Sequence, residues 1–156
     1  MNYNVSKMKS LFEQQTVSEV MQRVDRLTAS SQRKWGKMEV AQMLAHCTAA
    51  LEVAAAEKFP PRMFIGKILG PLFKSQFYND RPLNKNGPTD KSFIIDDQRD
   101  FDKEKERLKK LIKKFAEGGP EKCTAQLHSF FGKLKPEQWG IGMYKHLDHH
   151  LRQFGA

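Results

Sequence analysis

Scarcity narrows the class first. The chain has 156 residues and only two cysteines, Cys47 and Cys123. Its beginning, MNYNVSKMKSLFEQQ, carries lysines but neither an apolar run nor a small-residue cleavage site, so a cytoplasmic protein with reduced thiols is expected. Long hydrophobic runs are missing too. The most apolar stretch, residues 63–73, is interrupted by Lys67 and falls far short of the roughly 18 to 20 apolar residues that a membrane-spanning helix needs. Strand-like patterning is confined to residues 92–95, and no internal repeat is visible. There is no phosphate-cradling glycine loop, no dinucleotide fingerprint and no serine or cysteine triad pattern, which removes those catalytic classes.

What is present describes one domain, residues 1–156, with one core. Apolar residues make up 39% and charged residues 29%, with 11 Phe and 7 Met to fill an interior. The formal charge is +9, but the excess is spread over successive segments rather than gathered on one. Phosphate tracking calls for a concentrated basic face, so nucleic acid is not expected as a partner.

Hydrophobic spacing predicts four long helices. Thr16-Val17-Ser18-Glu19 has the form of a capping box, and Val17, Val20, Met21, Val24 and Leu27 follow at helical intervals for about three turns. Residues 28–37 are a loop. Residues 38–56 form a second, alanine-rich helix with Val40, Met43, Leu44, Cys47, Leu51 and Ala54 along one side, stopped by Pro60-Pro61. The third long helix, residues 99–117, turns Phe101, Leu108, Leu111, Ile112 and Phe115 inward and stops at Gly118-Gly119-Pro120. Its acids lie mostly in the first half and its lysines in the second, which suits the helix dipole, and KEKERLKKLIKK reads as a solvated face. After a loop over residues 123–135, Pro136 opens the last helix, which runs to about Phe154.

The connection between the second and third long helices, residues 57–98, is irregular and holds five of the seven prolines and the turn signal Asn86-Gly87-Pro88. Within it Phe64, Ile65, Ile68, Leu69, Leu72 and Phe73 predict a short extra helix, bent or ended near Gly70-Pro71. Its apolar side is expected to pack over the other helices as a lid rather than touch a membrane. The fold class is therefore all-α, a four-helix bundle with a long crossover.

Three of the five histidines fall within YKHLDHHLRQF on the last helix. Each residue advances about 100°, so relative to His146 the apolar Trp139, Met143, Leu147 and Phe154 lie near +20°, +60°, +100° and +80°. His150, near +40°, is inside that stripe, whereas His149, near −60°, is at its border and Asp148, near −160°, should face solvent. His146 and His150 thus face the interior one turn apart, where two imidazoles can converge on one ion. His46 is the only other histidine on a long helix, and Met43, Ala50 and Val53 share its side. Spacing alone leaves three readings open: a three-histidine site with open positions, a two-ligand pair, or no metal, with histidines that only bond to backbone carbonyls. Zn²⁺, Ni²⁺, Fe²⁺ and Mn²⁺ all accept imidazole ligands.

The other candidates carry less. Cys47 sits in the core stripe and reads as a small buried thiol. His128, in the loop before the last helix, reads as a structural hydrogen-bonding residue. Glu104, about 40° from Leu108, can enter the interior and is a minor candidate for an acid behind the ligands.

WGKMEVAQMLAHC and HSFFGKLKPEQWGIGMYKHLDHHLRQF resemble the DinB-like metalloprotein superfamily, in particular its branch of short bacterial proteins described only as domains of unknown function. The resemblance spans nearly the whole chain. It implies an up-down-down-up helix path and a divalent metal held by one histidine on the second helix and an HxxxH pair on the last, which in this chain are His46, His146 and His150. Gln153 also matches the usual ending, while Leu151-Arg152 replaces the usual Arg-Gly and Lys135 stands where a capping Thr is common. Members with assigned chemistry include thiol-dependent transferases. The resemblance therefore implies a metal-dependent enzyme, of transferase or hydrolase type, that activates water or a low-molecular-weight thiol as its small-molecule substrate. The alternative is a non-catalytic bundle that binds a small hydrophobic ligand or a protein partner in a stress response. A homodimer is left open.

Overall fold

The computed structural model of the chain describes residues 8–87 and 89–156; the first seven residues and Pro88, the last member of the Asn86-Gly87-Pro88 turn signal, lie outside them. Within the described residues the chain is all helical, with α1 Gln14–Arg26, α2 Val40–Ala54, α3 Phe64–Tyr78, α4 Phe101–Gly118 and α5 Pro136–Gln153. Short 3-10 turns occupy Lys91–Phe93 and Pro120–Lys122. No strand forms there; one isolated bridge joins His128 and Gly132. None of these helices is long and apolar enough to cross a membrane.

The helices enclose one core, to which α3 adds Phe77. Both α1 and α2 lie against α4 and α5, and α3 packs on α5. The predicted stripes meet inside: Val20 and Val24 from α1, Leu44, Cys47 and Leu51 from α2, Leu108 and Ile112 from α4, and Trp139, Leu147 and Leu151 from α5 are all buried. The spacing that predicted these faces holds because a helix at 3.6 residues per turn presents its apolar positions on one side.

Three local expectations need correction. Helix α1 begins before Thr16, at Gln14, and the Thr16–Glu19 box does not form. Thr16 instead donates to Glu13 Oε2 at 3.3 Å, and Glu19 is drawn outward to Lys9. The capping that sequence placed on α1 is found on α2, where Gln42 Oε1 accepts from the Glu39 backbone NH at 2.9 Å. Helix α2 also ends at Ala54, well before Pro60-Pro61, because Ala56 turns into the left-handed region (φ 59°) and the Glu52 carbonyl accepts from the NH groups of Glu57 and Lys58. Residues 92–95, the one short strand candidate, form no strand, in keeping with the all-α reading; Asp90 caps the 3-10 turn there by accepting from Ser92 N at 2.9 Å.

The largest correction concerns α3. It runs through Pro71 to Tyr78 instead of ending near Gly70-Pro71. It is anchored at its far end by Phe77, whose ring is buried against Trp139 and His128. Gly66 and Gly70 press on the backbone of Phe130, where a Cβ would come within 2.7 and 2.2 Å of it. Small residues and one aromatic ring thus make the seam, and the large apolar side chains face outward rather than closing a lid.

Candidate metal centre

Helices α2 and α5 touch, and their contact brings His46 within reach of His146 and His150. One ligand atom from each lies within 4.8 Å of the others. His46 and His150 are buried, and His146 is partly covered. Their rings approach edge to face or tilted, with centroids 4.7 to 4.9 Å apart.

The outward nitrogens decide which atoms remain for an ion. His46 Nδ1 lies 2.8 Å from the Phe93 carbonyl, which only accepts, so Nδ1 carries the proton and Nε2 keeps its lone pair. On α5, Gln153 Nε2 donates to the Trp35 carbonyl at 2.7 Å, which turns its Oε1 toward His150 Nδ1 at 2.8 Å. His150 therefore also presents Nε2 as an acceptor. His46 Nε2 and His146 Nε2 lie 3.0 Å apart, so the proton between them belongs to His146. Oxygen acceptors behind two of three ring pairs are the usual support of metal-ligating histidines.

Burial keeps this cluster neutral. Loss of hydration pushes all three imidazoles below their ordinary range, His150 to about 3 and His146 well below it, and mutual repulsion adds to the effect for His146 and His150. Neutral imidazole is the form that binds a metal.

The remaining candidates fall elsewhere. His149 is outside the triad; its ring meets His150 at 5.0 Å and Trp35 at 5.5 Å, and it lines a surface cleft of about 370 Å³ with Lys34, Lys85 and Arg152. His128 is structural, its Nδ1 accepting from Phe130 N at 3.0 Å and Phe131 N at 3.2 Å. Cys47 is buried beside Met43, and burial pushes its thiol far up, which leaves no nucleophile there. Both cysteines are free. Glu104 does enter the interior, but its carboxylate is taken by Arg99 at 3.2 Å and Arg107 at 3.6 Å. Asp148, expected in solvent, is instead half-buried between Arg23 at 2.8 Å and Arg152 at 2.9 Å.

Sequence spacing missed two partners. The Phe93 carbonyl behind His46 comes from a segment 47 residues away with no motif to mark it. Gln153 had a signal, since it stands three residues after His150 on the same helix face.

An all-helical fold that converges three buried or partly covered histidines from two helices defines a protein with a candidate histidine metal centre. Residues 6–156 match the family described as "Protein of unknown function (DUF1569)", and the chain belongs to that family. No curated protein and no solved structure matches it.

Proposed function

We propose that this chain is a DinB-like metalloprotein in which His46, His146 and His150 hold one divalent ion, Zn, Ni, Fe or Mn. The reading treats residues 1–156 as a single domain in which α1, α2, α4 and α5 form an up-down-down-up four-helix bundle. The packing of α1 and α2 on both α4 and α5 supports it. The observation that carries the metal is the convergence of three ring nitrogens while the Nδ1 atoms of His46 and His150 are tied to oxygen acceptors.

The donor set fits. A tetrahedral ion wants ligand nitrogens roughly 3.3 Å apart, so His46 and His146, at 3.0 Å, need part by only a few tenths of an ångström. Binding replaces the single proton between those two nitrogens. An open-site divalent ion supplies an activated water or a deprotonated thiol at neutral pH, the chemistry of a hydrolase or a thiol-dependent transferase. The chain's own residues orient the rings of His46 and His150 through Phe93 and Gln153 and exclude bulk water from both.

Metal analysis of tag-free protein after metal-supplemented expression tests the site. Wild type and His149→Ala should carry about one ion per chain, and His46→Ala, His146→Ala and His150→Ala should lose it. Substoichiometric metal in every sample would sink the centre. Thiol consumption by metal-loaded wild type with an electrophilic acceptor tests the enzyme; no turnover, with metal retained, would make the bundle a binding protein.

A further inference from the structure

The outer face of α3 is unlike the rest of the surface. Its seam with the body is narrow: Gly66, Gly70 and Phe77 lie within about 40° of one another around the helix. On the opposite side Phe64, Ile65, Ile68 and Leu72 span an arc of about 100°. They are 77%, 47%, 57% and 73% exposed, and Phe59 and Phe73 are exposed beside them. Scattered apolar residues on a surface need no explanation, but one contiguous face does.

Charge on this segment has one sign. Residues 58–79 contain Lys58, Arg62, Lys67 and Lys74 and no acid. Lys67 and Lys74 share one flank of the helix, roughly 60° to 80° from Phe64, where their stems can lie along the apolar face with the ammonium groups at its edge. Lys58 is already paired with Glu52 of α2, but two copies joined through this face would find no acid within it to pair with Lys67 and Lys74. An anionic surface offsets both.

We propose that α3 is an interfacial helix that docks the protein on an anionic lipid surface. Phe64, Ile68 and Leu72 enter the boundary between headgroups and acyl chains, and Lys67 and Lys74 sit at the level of the lipid phosphates and carboxylates. The helix lies in the surface and does not cross it. The inference is independent of the metal centre.

Co-sedimentation with sucrose-loaded vesicles tests it, using phosphatidylcholine alone and an equimolar mixture of phosphatidylcholine and phosphatidylserine. Wild type should bind the mixed vesicles and lose most of that binding on phosphatidylcholine alone. Ile68→Glu/Leu72→Glu should abolish binding, and Lys67→Glu/Lys74→Glu should weaken it by more than about tenfold. These side chains are exposed or at the helix edge, so both variants should keep the wild-type circular dichroism and thermal midpoint. Failure of wild type to bind mixed vesicles overturns the proposal, as does undiminished binding by Ile68→Glu/Leu72→Glu. A concentration-dependent dimer that this double variant dissociates, in a protein that ignores vesicles, would assign the face to a second copy.

Discussion

His46 Nε2 and His146 Nε2 stand 3.0 Å apart although 100 residues separate them in the chain. One proton satisfies both nitrogens. The candidate centre is thus a hydrogen-bonded link between α2 and α5, so its residues matter to stability whether or not they hold an ion.

Gln153 sets the quality of that centre. It holds His150 Nδ1 while donating to the Trp35 carbonyl, so Gln153→Ala frees the imidazole to turn and leaves a carbonyl unpaired. Metal affinity should fall about 10- to 100-fold in a chelator competition, with helix content unchanged. Undiminished affinity would show that packing alone orients His150.

Acid should destabilise the metal-free protein. Burial holds His128 at about 4 and His150 at about 3, against about 6.5 for the unfolded chain. Between those values the unfolded state binds protons that the folded state refuses, so stability is full above about pH 6.5 and declines as pH falls toward 4. His128 alone accounts for about 2 to 3 kcal/mol at pH 4.5. In His128→Asn the amide oxygen can still accept from Phe130 N and Phe131 N but does not titrate. Urea unfolding across this range should show its slope with pH reduced by about one proton, and an unchanged slope would remove His128 from the account.

Gly70 should tolerate no side chain. A Cβ there meets the Phe130 carbonyl oxygen at 2.2 Å, and backbone cannot swing aside as a flexible side chain can. Gly70→Ala should cost about 1 to 3 kcal/mol or undock α3, read as faster amide exchange over residues 64–78. Wild-type exchange in the variant would mean that the seam is loose.

Glu104 separates an electrostatic role from a metal one. Glu104→Gln weakens its pairing with Arg99 and Arg107 and should lower stability by about 1 kcal/mol, because both arginines are partly solvated. Metal content should stay at the wild-type level. Loss of metal would place this acid behind the ligands after all.

The helices were legible because their cores are built on local periodicity. Leu108, Leu111, Ile112 and Phe115 face inward in α4 as their spacing requires, and Asp100 caps it by accepting from Lys103 N at 2.8 Å. Helical phase also placed His146 and His150 on the inner side and His149 at its border. Such phase is a property of one segment and needs no partner.

The α3 error has the opposite origin. Its apolar residues were read as a buried face, as apolar stripes usually are, yet the face that packs is the one with glycines. Close approach to the Phe130 backbone rewards absence of a side chain, which leaves no hydrophobic signal to read. Pro71 reads as a bend or a stop because its missing NH normally kinks or ends a helix. Tertiary anchoring through Phe77 carries the helix past it.

By itself the sequence determined which segments are helical, which sides of α1, α2, α4 and α5 face inward and which pair of histidines shares a turn, since all of these follow from covalent geometry and side-chain spacing along one helix. Only the tertiary structure decided that His46 meets that pair, that Phe93 and Gln153 fix the tautomers, and that α3 turns its large apolar residues outward. These depend on contacts between segments distant in the chain, and no local pattern encodes the distance between two helices.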